Sequence, residues 1–472
     1  MMRYQENRQS LTHANKGFRL AIKRIISWFI LALLAIPALC VLLISPIFIG
    51  LYSLWERRRT LFTPPAPTNP NIEYYVYRPE QGFRQRVLTA LKSVLKIALF
   101  PLYLYARGVG VLIGLPVYPA SLIFSNSGLS TIFRRDNEGL PTEKENDLIA
   151  STTMGQFDIK QCIVEMPNHV RLHTREYTQK KITGDVNTAP HIIYFKGNAS
   201  RYDFELEKMK NDALDLNAVV IGFHHSNFGY SGLVNSDGTV STVVPLSQAE
   251  LVEQGVAQVQ RLLDKGVDSH QVVLHGHSLG GGIATLVAWH FQQQGIAIKV
   301  YNDRSFSNIS SEASELLIPR SPITNNSSIS EKIVYSLKGI VASAMKSLIK
   351  LSDWDLNAGD VITQLKTWDY AVVRHAVRSS TGTILKLQED EIIKYNASLH
   401  RAPKVKAARK LEKEKASTPE EKKRIQAAHK FKPKFYPAEI APHAANPSLF
   451  INRNDITAEQ HFHNFVRQLS SV

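Results

Sequence analysis

Gln271-Val272-Val273-Leu274-His275-Gly276-His277-Ser278-Leu279-Gly280-Gly281-Gly282 is the stretch that decides how this chain is read. An apolar run enters Gly276-His277-Ser278-Leu279-Gly280, and small residues follow it. The pattern predicts a buried strand, a sharp turn and a helix, in that order. A serine at the tip of such a turn adopts strained backbone geometry. Only small residues two before and two after it let strand and helix approach so closely. The turn lifts the Ser278 hydroxyl above the sheet and sets the Leu279 N–H at a helix start, where it can hold a developing oxyanion. The five-residue pattern alone is weak; the apolar strand before it and the small-residue helix after it make it specific.

The flanking sequence supplies the rest of a sheet. His191–Phe195 is a short apolar run of the kind that forms a buried parallel strand, and it ends in Lys196-Gly197-Asn198-Ala199-Ser200. A helix is predicted over Glu205–Leu214, a strand over Ala218–Phe223, and a Gly/Ser-rich loop over Ser226–Gly232. Gln248–Lys265 reads as an amphipathic helix, with Leu251, Val252, Val256, Val259, Leu262 and Leu263 on one face. Upstream, Asp158–Glu165 and His169–Arg175 alternate with a period of two around a Pro167-Asn168 turn, which predicts paired strands. Strands alternating with helices imply a mostly parallel sheet with helices on both faces. Ligands in such sheets bind at the carboxyl ends of the strands. Gly197–Ala199, the 226–232 loop and Ser278 are expected to converge there.

These residues carry a resemblance. From about Phe157 to Asn308 the chain resembles the α/β-hydrolase superfamily, and within it the membrane-tethered serine hydrolases with a Gly-Asn-Ala loop after the third strand. Tyr194-Phe195-Lys196-Gly197-Asn198-Ala199 matches that loop, with Lys196 where those hydrolases carry His. Ile221-Gly222-Phe223 and Gly229-Tyr230-Ser231-Gly232 match the next strand and loop. A hydrophobic amino end joined to this hydrolase is also similar to the SidB family of secreted bacterial effectors. The resemblance implies an α/β-hydrolase fold, serine hydrolase activity, and a main-chain N–H near Asn198 as the second oxyanion donor.

In this fold the triad runs Ser, then Asp or Glu, then His along the chain. Ile298–Asn302 reads as the strand after the elbow helix, and 305–365 as a lid-like insertion with an apolar helix over Ser330–Leu351. Ala371–Val373 and Thr383–Leu387 are further strand candidates. The resembling hydrolases place their acid in an Asp-x-x-Ile setting, which Asp390 fits with Ile393 in the trailing position. Asp303 is the rival acid, one strand earlier; Glu389 and Asp369 come after it. Among the histidines that follow Asp390, His443 lies in a loop before a final helix over Thr457–Leu469, the place where the superfamily keeps its base. His461 and His463 sit on that helix and are expected to pack or face solvent. His400 and His429 flank a charged insertion.

That insertion, 401–434, holds thirteen Lys/Arg against four Glu, and the whole chain carries +15. It reads as two helices, Ala402–Ala416 and Pro419–Lys430, either a solvated arm or a surface for anionic lipid headgroups. No aromatic interleaving or groove-reading motif accompanies the charge, so nucleic acid is not expected. At the amino end, Ile25–Trp55 has no charged residue and is long enough to span a bilayer. Cations flank it on both sides (Lys23, Arg24 and Arg57–Arg59), so orientation is left open. The expected organisation is an anchor over 1–60, a linker and second hydrophobic segment over 61–150, and the hydrolase over 151–472. The two cysteines, Cys40 and Cys162, form no disulfide framework. His224-His225 lacks Cys or carboxylates at ligand spacing, so no metal is expected, and no cofactor motif is present.

The chain therefore reads as a membrane-associated serine hydrolase of an ester or thioester, acting on a lipid or acylated substrate. Ser278, His443 and Asp390 form its triad, and Leu279 and Asn198 supply the oxyanion donors. The hydrolase domain is placed on the cytosolic side, or at a host membrane for a secreted effector. The alternative is a membrane-tethered scaffold that keeps the fold and binds a protein partner without catalysis.

Overall fold

The computed structural model describes residues 72–79, 97–100, 103–105, 157–180, 185–197, 202–226, 228–229, 231–234, 240–241, 247–306, 308–310, 329–351, 353–365, 368–378, 384–389, 410–411, 414–419, 434–437, 450–451 and 456–468, with single residues elsewhere. Its centre is a mixed sheet with the strand order β1-β2-β3-β5-β4-β8-β9-β10-β12-β13. The strands are β1 (Ile72–Val76), β2 (Phe157–Glu165), β3 (Val170–Gln179), β4 (His191–Phe195), β5 (Val219–Phe223), β6 (Gly232–Val234), β7 (Val240–Ser241), β8 (Val272–His277), β9 (Lys299–Asp303), β10 (Trp368–Arg378), β11 (Ile384–Glu389), β12 (Lys434–Pro437) and β13 (Phe450–Ile451). β3 runs antiparallel to both β2 and β5, while β5, β4, β8, β9, β10 and β12 are mutually parallel. The swap of β4 and β5 beside a single reversed strand is the arrangement expected of an α/β-hydrolase.

Alternation along the strands divides the core in two. Ile193, Phe195, Ile221, Leu274 and Val300 point to one face, and Ile192, Tyr194, Val220, Val273 and Tyr301 to the other. Every residue of β4 and β5 is buried, as expected for strands covered on both sides. Helices α2 (Gln248–Asp264) and α3 (Leu279–Gln293) cover the first face; α1 (Leu206–Asp215) and α6 (Ala458–Arg467) cover the second. Between β9 and β10 lie α4 (Ile329–Leu351) and the short α5 (Ala358–Val361). Thr457 caps α6 in a reciprocal capping box with Gln460, which fixes where that helix starts.

One feature departs from the sequence reading and another adds to it. Ile72–Val76, in the stretch read as linker, is an edge strand parallel to β2. β11, on the strand candidate Thr383–Leu387, is the return arm of a hairpin, antiparallel to β10. Among the described residues no helix is long and apolar enough to cross a membrane. The run Ile25–Trp55 lies outside the described residues apart from Ile47 and Leu51, both helical and exposed. Most of the basic insertion 401–434 also lies outside them.

Candidate active site

β8 ends at His277, and α3 begins at Leu279. Between them Ser278 has φ 52° and ψ −119°, a region that L-residues rarely enter. Such a residue costs about 1–3 kcal/mol and persists only where its surroundings over-determine it. Here they do. A Cβ on Gly276 would fall 2.5 Å from the Gly280 carbonyl oxygen, and one on Gly280 would fall 2.1 Å from that of Phe195. Both positions need glycine because the helix start is pressed onto the ends of β8 and β4. The Ser278 N–H donates to the Asp303 carbonyl at 3.0 Å, and the Ser278 carbonyl accepts from the Gly281 N–H at 3.0 Å. The elbow is thus pinned from β9 and from within α3.

Leu279 is the first residue of α3 and is buried. Its N–H belongs to the first turn, whose donors have no carbonyl four residues back to bond. The helix N-terminus adds positive potential at that point. Gly197, just past β4, sits close by: a Cβ there would lie 3.3 Å from the Ser278 Cβ and 3.1 Å from His277 Nδ1. The loop predicted to hold the second oxyanion donor therefore begins against the serine. Asn198 itself lies outside the described residues, as do Asp390, His443, His400 and His429.

Lys196, at the start of that loop, is buried. Its ammonium pairs with Glu205 and stands 4.8 Å from the centroid of the Tyr194 ring. Burial pushes the Lys196 pKa down, against the pull of Glu205 toward the charged form. Burial alone would raise the Glu205 carboxyl, but Lys196 outweighs it and holds the group below the usual range. The substitution of Lys for His thus comes with a counter-charge, which no local sequence pattern announces.

The rival acid Asp303 ends β9, paired across the sheet with His277. It is buried, and its carboxylate is gripped by Arg304: Nε donates to Oδ1 at 2.9 Å and Nη2 to Oδ2 at 2.8 Å. Burial would raise this carboxyl, but the Arg304 guanidinium outweighs it and holds the group well below the usual carboxylate range. Asp369 lies in β10 opposite Tyr301, inside the sheet rather than on a loop. Glu389 ends β11 opposite Arg374, three residues past Ala371, which pairs with Asp303. At about 3.3 Å per residue the hairpin brings the chain back to within roughly 10 Å, along the strand, of the level of Ser278. Asp390 is the next residue.

The two helical histidines have other partners. His461 Nδ1 hydrogen-bonds the Tyr301 hydroxyl at 2.9 Å, and His463 Nε2 meets Asp212 Oδ1 at 2.7 Å. Asp212 also accepts from Lys208 and the Tyr194 hydroxyl, so this buried group ties α6 to α1 and β4. Beyond β5, Gln254 accepts from the Ser226 N–H at 3.0 Å and bonds His225 Nδ1 at 3.0 Å. Burial pushes the His225 pKa down to about 4. Gly229, at φ 48°, closes onto the His224 ring, where a Cβ would fall 2.4 Å from Nδ1. The His224-His225 pair thus shapes the loop over the carboxyl edge.

With this geometry in view, the comparisons with known proteins follow. Residues 195–304 match the family model of class 3 lipases. That span runs from the end of β4, through the elbow, to Arg304. An esterase/lipase from an uncultured bacterium aligns over 75% of this chain and 99% of its own, at 12% identity and a TM-score of 0.36. An alpha-beta hydrolase from Vibrio vulnificus aligns over 53% and 78%, at 16% identity and a TM-score of 0.34. Carboxyl esterase 2 from the mycorrhizal fungus Tuber melanosporum aligns over 56% and 84%, at 14% and 0.34. Likenesses this distant carry no argument about substrate. No curated relative matches the chain. The lipase match and the observed strand order together support the α/β-hydrolase superfamily and a lipase- or esterase-like hydrolase.

Proposed function

We propose that this protein is a membrane-associated serine hydrolase that cleaves an ester or thioester of a lipid or acylated substrate. The observation that carries the reading is the strained Ser278 between β8 and α3, with Gly197 packed against it. In this reading Ser278 Oγ attacks the acyl carbonyl carbon while His443 takes the hydroxyl proton. The carbonyl oxygen becomes an oxyanion held by the N–H groups of Leu279 and Asn198. The tetrahedral intermediate expels the alcohol or thiol, which leaves with the proton from His443. Water, activated by the same histidine, then attacks the acyl-enzyme. It releases the carboxylic acid and returns the proton to Ser278. Asp390 orients His443 and steadies its charged form. The return of the β10–β11 hairpin toward the elbow supports Asp390, and the capture of Asp303 by Arg304 counts against that rival.

The lipase-family match favours a lipid ester. The apolar run 25–55 supports a membrane location. The SidB resemblance would place that membrane in a host cell.

The test is labelling by a fluorophosphonate probe, with ester turnover measured beside it. Wild-type protein is expected to label at Ser278 and turn over, and Ser278→Ala to do neither. If wild type and variant both show only background where a control hydrolase labels, the protein is a scaffold. Exchanging Asp390→Asn with Asp303→Asn separates the two acids: the true one costs turnover while leaving α3 folded.

A further inference from the structure

The chain leaves β4 beside Ser278 and enters α1 through a tight helical turn, Tyr202–Glu205. Both ends of this connection are fixed. At the first, the main chain of Phe195 and Lys196 is pressed onto the start of α3: a Cβ on Gly280 would fall 2.1 Å and 2.6 Å from their carbonyl oxygens. At the second, Tyr202 is fully buried, and its hydroxyl hydrogen-bonds His173 Nδ1 of β3 at 3.1 Å. Its ring lies over β5, where a Cβ on Gly222 would fall 2.7 Å from it.

Lys196 and Glu205 stand at these two ends, and their side chains form an ion pair. The pair therefore closes the neck of the connection. Glu205 precedes α1 at the position whose side chain ordinarily caps a helix, yet it makes no cap hydrogen bond and turns to Lys196 instead. The Lys196 side chain is only 6% exposed, so its ammonium has exchanged water for this carboxylate and for the Tyr194 ring, 4.8 Å away. Lys208 reaches the same ring at 4.9 Å while pairing with Asp212, which ties α1 to β4 a second time.

An exposed salt bridge holds little, but a buried lysine cannot let go of its partner without stranding a charge. That stiffness is what an oxyanion donor needs, since a misplacement of about 1 Å costs roughly a hundredfold in rate. The pairing also separates two uses of a lysine near a serine. A neutral amine serves as a base, whereas an ammonium held by a carboxylate serves as a tie.

We propose that Lys196 and Glu205 are positioning residues: their ion pair clasps the loop after β4 and holds its main-chain N–H groups on the oxyanion side of Ser278. The proposal rests on the serine-hydrolase reading and adds to it two residues that act through the backbone between them.

The test follows fluorophosphonate labelling of Ser278 in the full chain against time and probe concentration, which gives a saturation constant KI and a maximal rate kinact. Phosphonylation sets the phosphoryl oxygen where the oxyanion would sit, so kinact reports the donors. Lys196→Met and Glu205→Gln are each expected to lower kinact about a hundredfold and to leave KI unchanged. The double variant is expected to fall no further than the slower single one, because one clasp is broken only once. Should urea unfolding show that Lys196→Met does not fold, Glu205→Gln decides alone, since this side chain is 36% exposed and glutamine keeps its size. A wild-type kinact in Glu205→Gln, losses that multiply in the double variant, or a loss confined to KI each overturns the clasp and leaves Ser278 a nucleophile. A wild-type protein that never labels removes the serine-hydrolase reading itself, and the clasp with it.

Discussion

Helices α3 and α4 have similar apolar content and opposite surroundings. In α3, Ile283, Ala284, Val287, Ala288 and Phe291 are fully buried, and three glycines at its start let it press on the sheet. In α4, Ile333, Leu337 and Ile340 are more than half exposed. The first helix is held by this protein's own core. The second presents a stripe that stays exposed among the described residues. Hydrophobicity read along a sequence says that a face will leave water; it does not say what the face will meet.

The largest expected effect falls on the elbow. Ser278→Ala should reduce kcat by roughly four orders of magnitude or more, as loss of a nucleophile does in hydrolases of this kind. Ser278→Gly should be equally inactive yet raise stability by about 1 kcal/mol, because glycine adopts φ 52° without strain. Denaturant melts beside a turnover assay check both. A glycine variant less stable than wild type would mean that the elbow stores no strain.

Next in size is the packing of α3. Ile283→Ala, at a fully buried site, should cost about 2–5 kcal/mol in urea unfolding. Gly280→Ala should cost at least as much, since its Cβ would fall 2.1 Å from a main-chain oxygen that cannot swing away. These are the positions where local pattern and tertiary structure agree, and there the sequence was most legible. β4 falls on the predicted residues, and α2 differs from its predicted span by one. Continuous apolar runs and 3.6-residue periodicity are local signals, and a strongly buried sheet obeys them.

The polar interior was not legible in that way. α2 buries Gln254, Gln258 and Arg261 along one edge of its inner face, where they meet Ser226 and His225, Thr174, and Glu176. Each partner is distant in sequence, and no spacing rule ties Arg261 to Glu176. The Lys196–Glu205 pair follows no spacing rule either, and the adjacent Asp303–Arg304 pair forms only because Arg304 takes a left-handed φ of 49° at the end of β9. β11 falls on a predicted strand candidate, but a short apolar run gives a strand without its direction. Only pairing with β10 shows that it turns back. The serine of the site was legible because its chemistry requires a local turn. The acid and base are set by tertiary closure, and Asp390 and His443 rest on resemblance and chain order.

His225 offers an intermediate effect with a defined sign. Its folded pKa of about 4 lies below the ordinary 6.5 because burial disfavours the charged ring. Above pH 6.5 the ring is neutral in both states, and the residue adds no pH dependence. As pH falls from 6.5 toward 4 the unfolded chain takes up a proton that the folded one refuses. Stability therefore drops, by up to about 3 kcal/mol at the lower end. Urea midpoints measured across that window should fall with pH, and His225→Gln should flatten the slope. A slope unchanged in the variant would assign the loss to other groups.

The smallest expected effect carries the comparison furthest. Ile340→Ala removes the same atoms as Ile283→Ala, but from a side chain that is 66% exposed. If α4 lies open in solution, the change should leave unfolding stability within about 0.5 kcal/mol of wild type. A cost of several kcal/mol would show that α4 is already covered, which would make the two helices alike. A negligible cost would establish that the same apolar content is held by the core in α3 and left to solvent in α4.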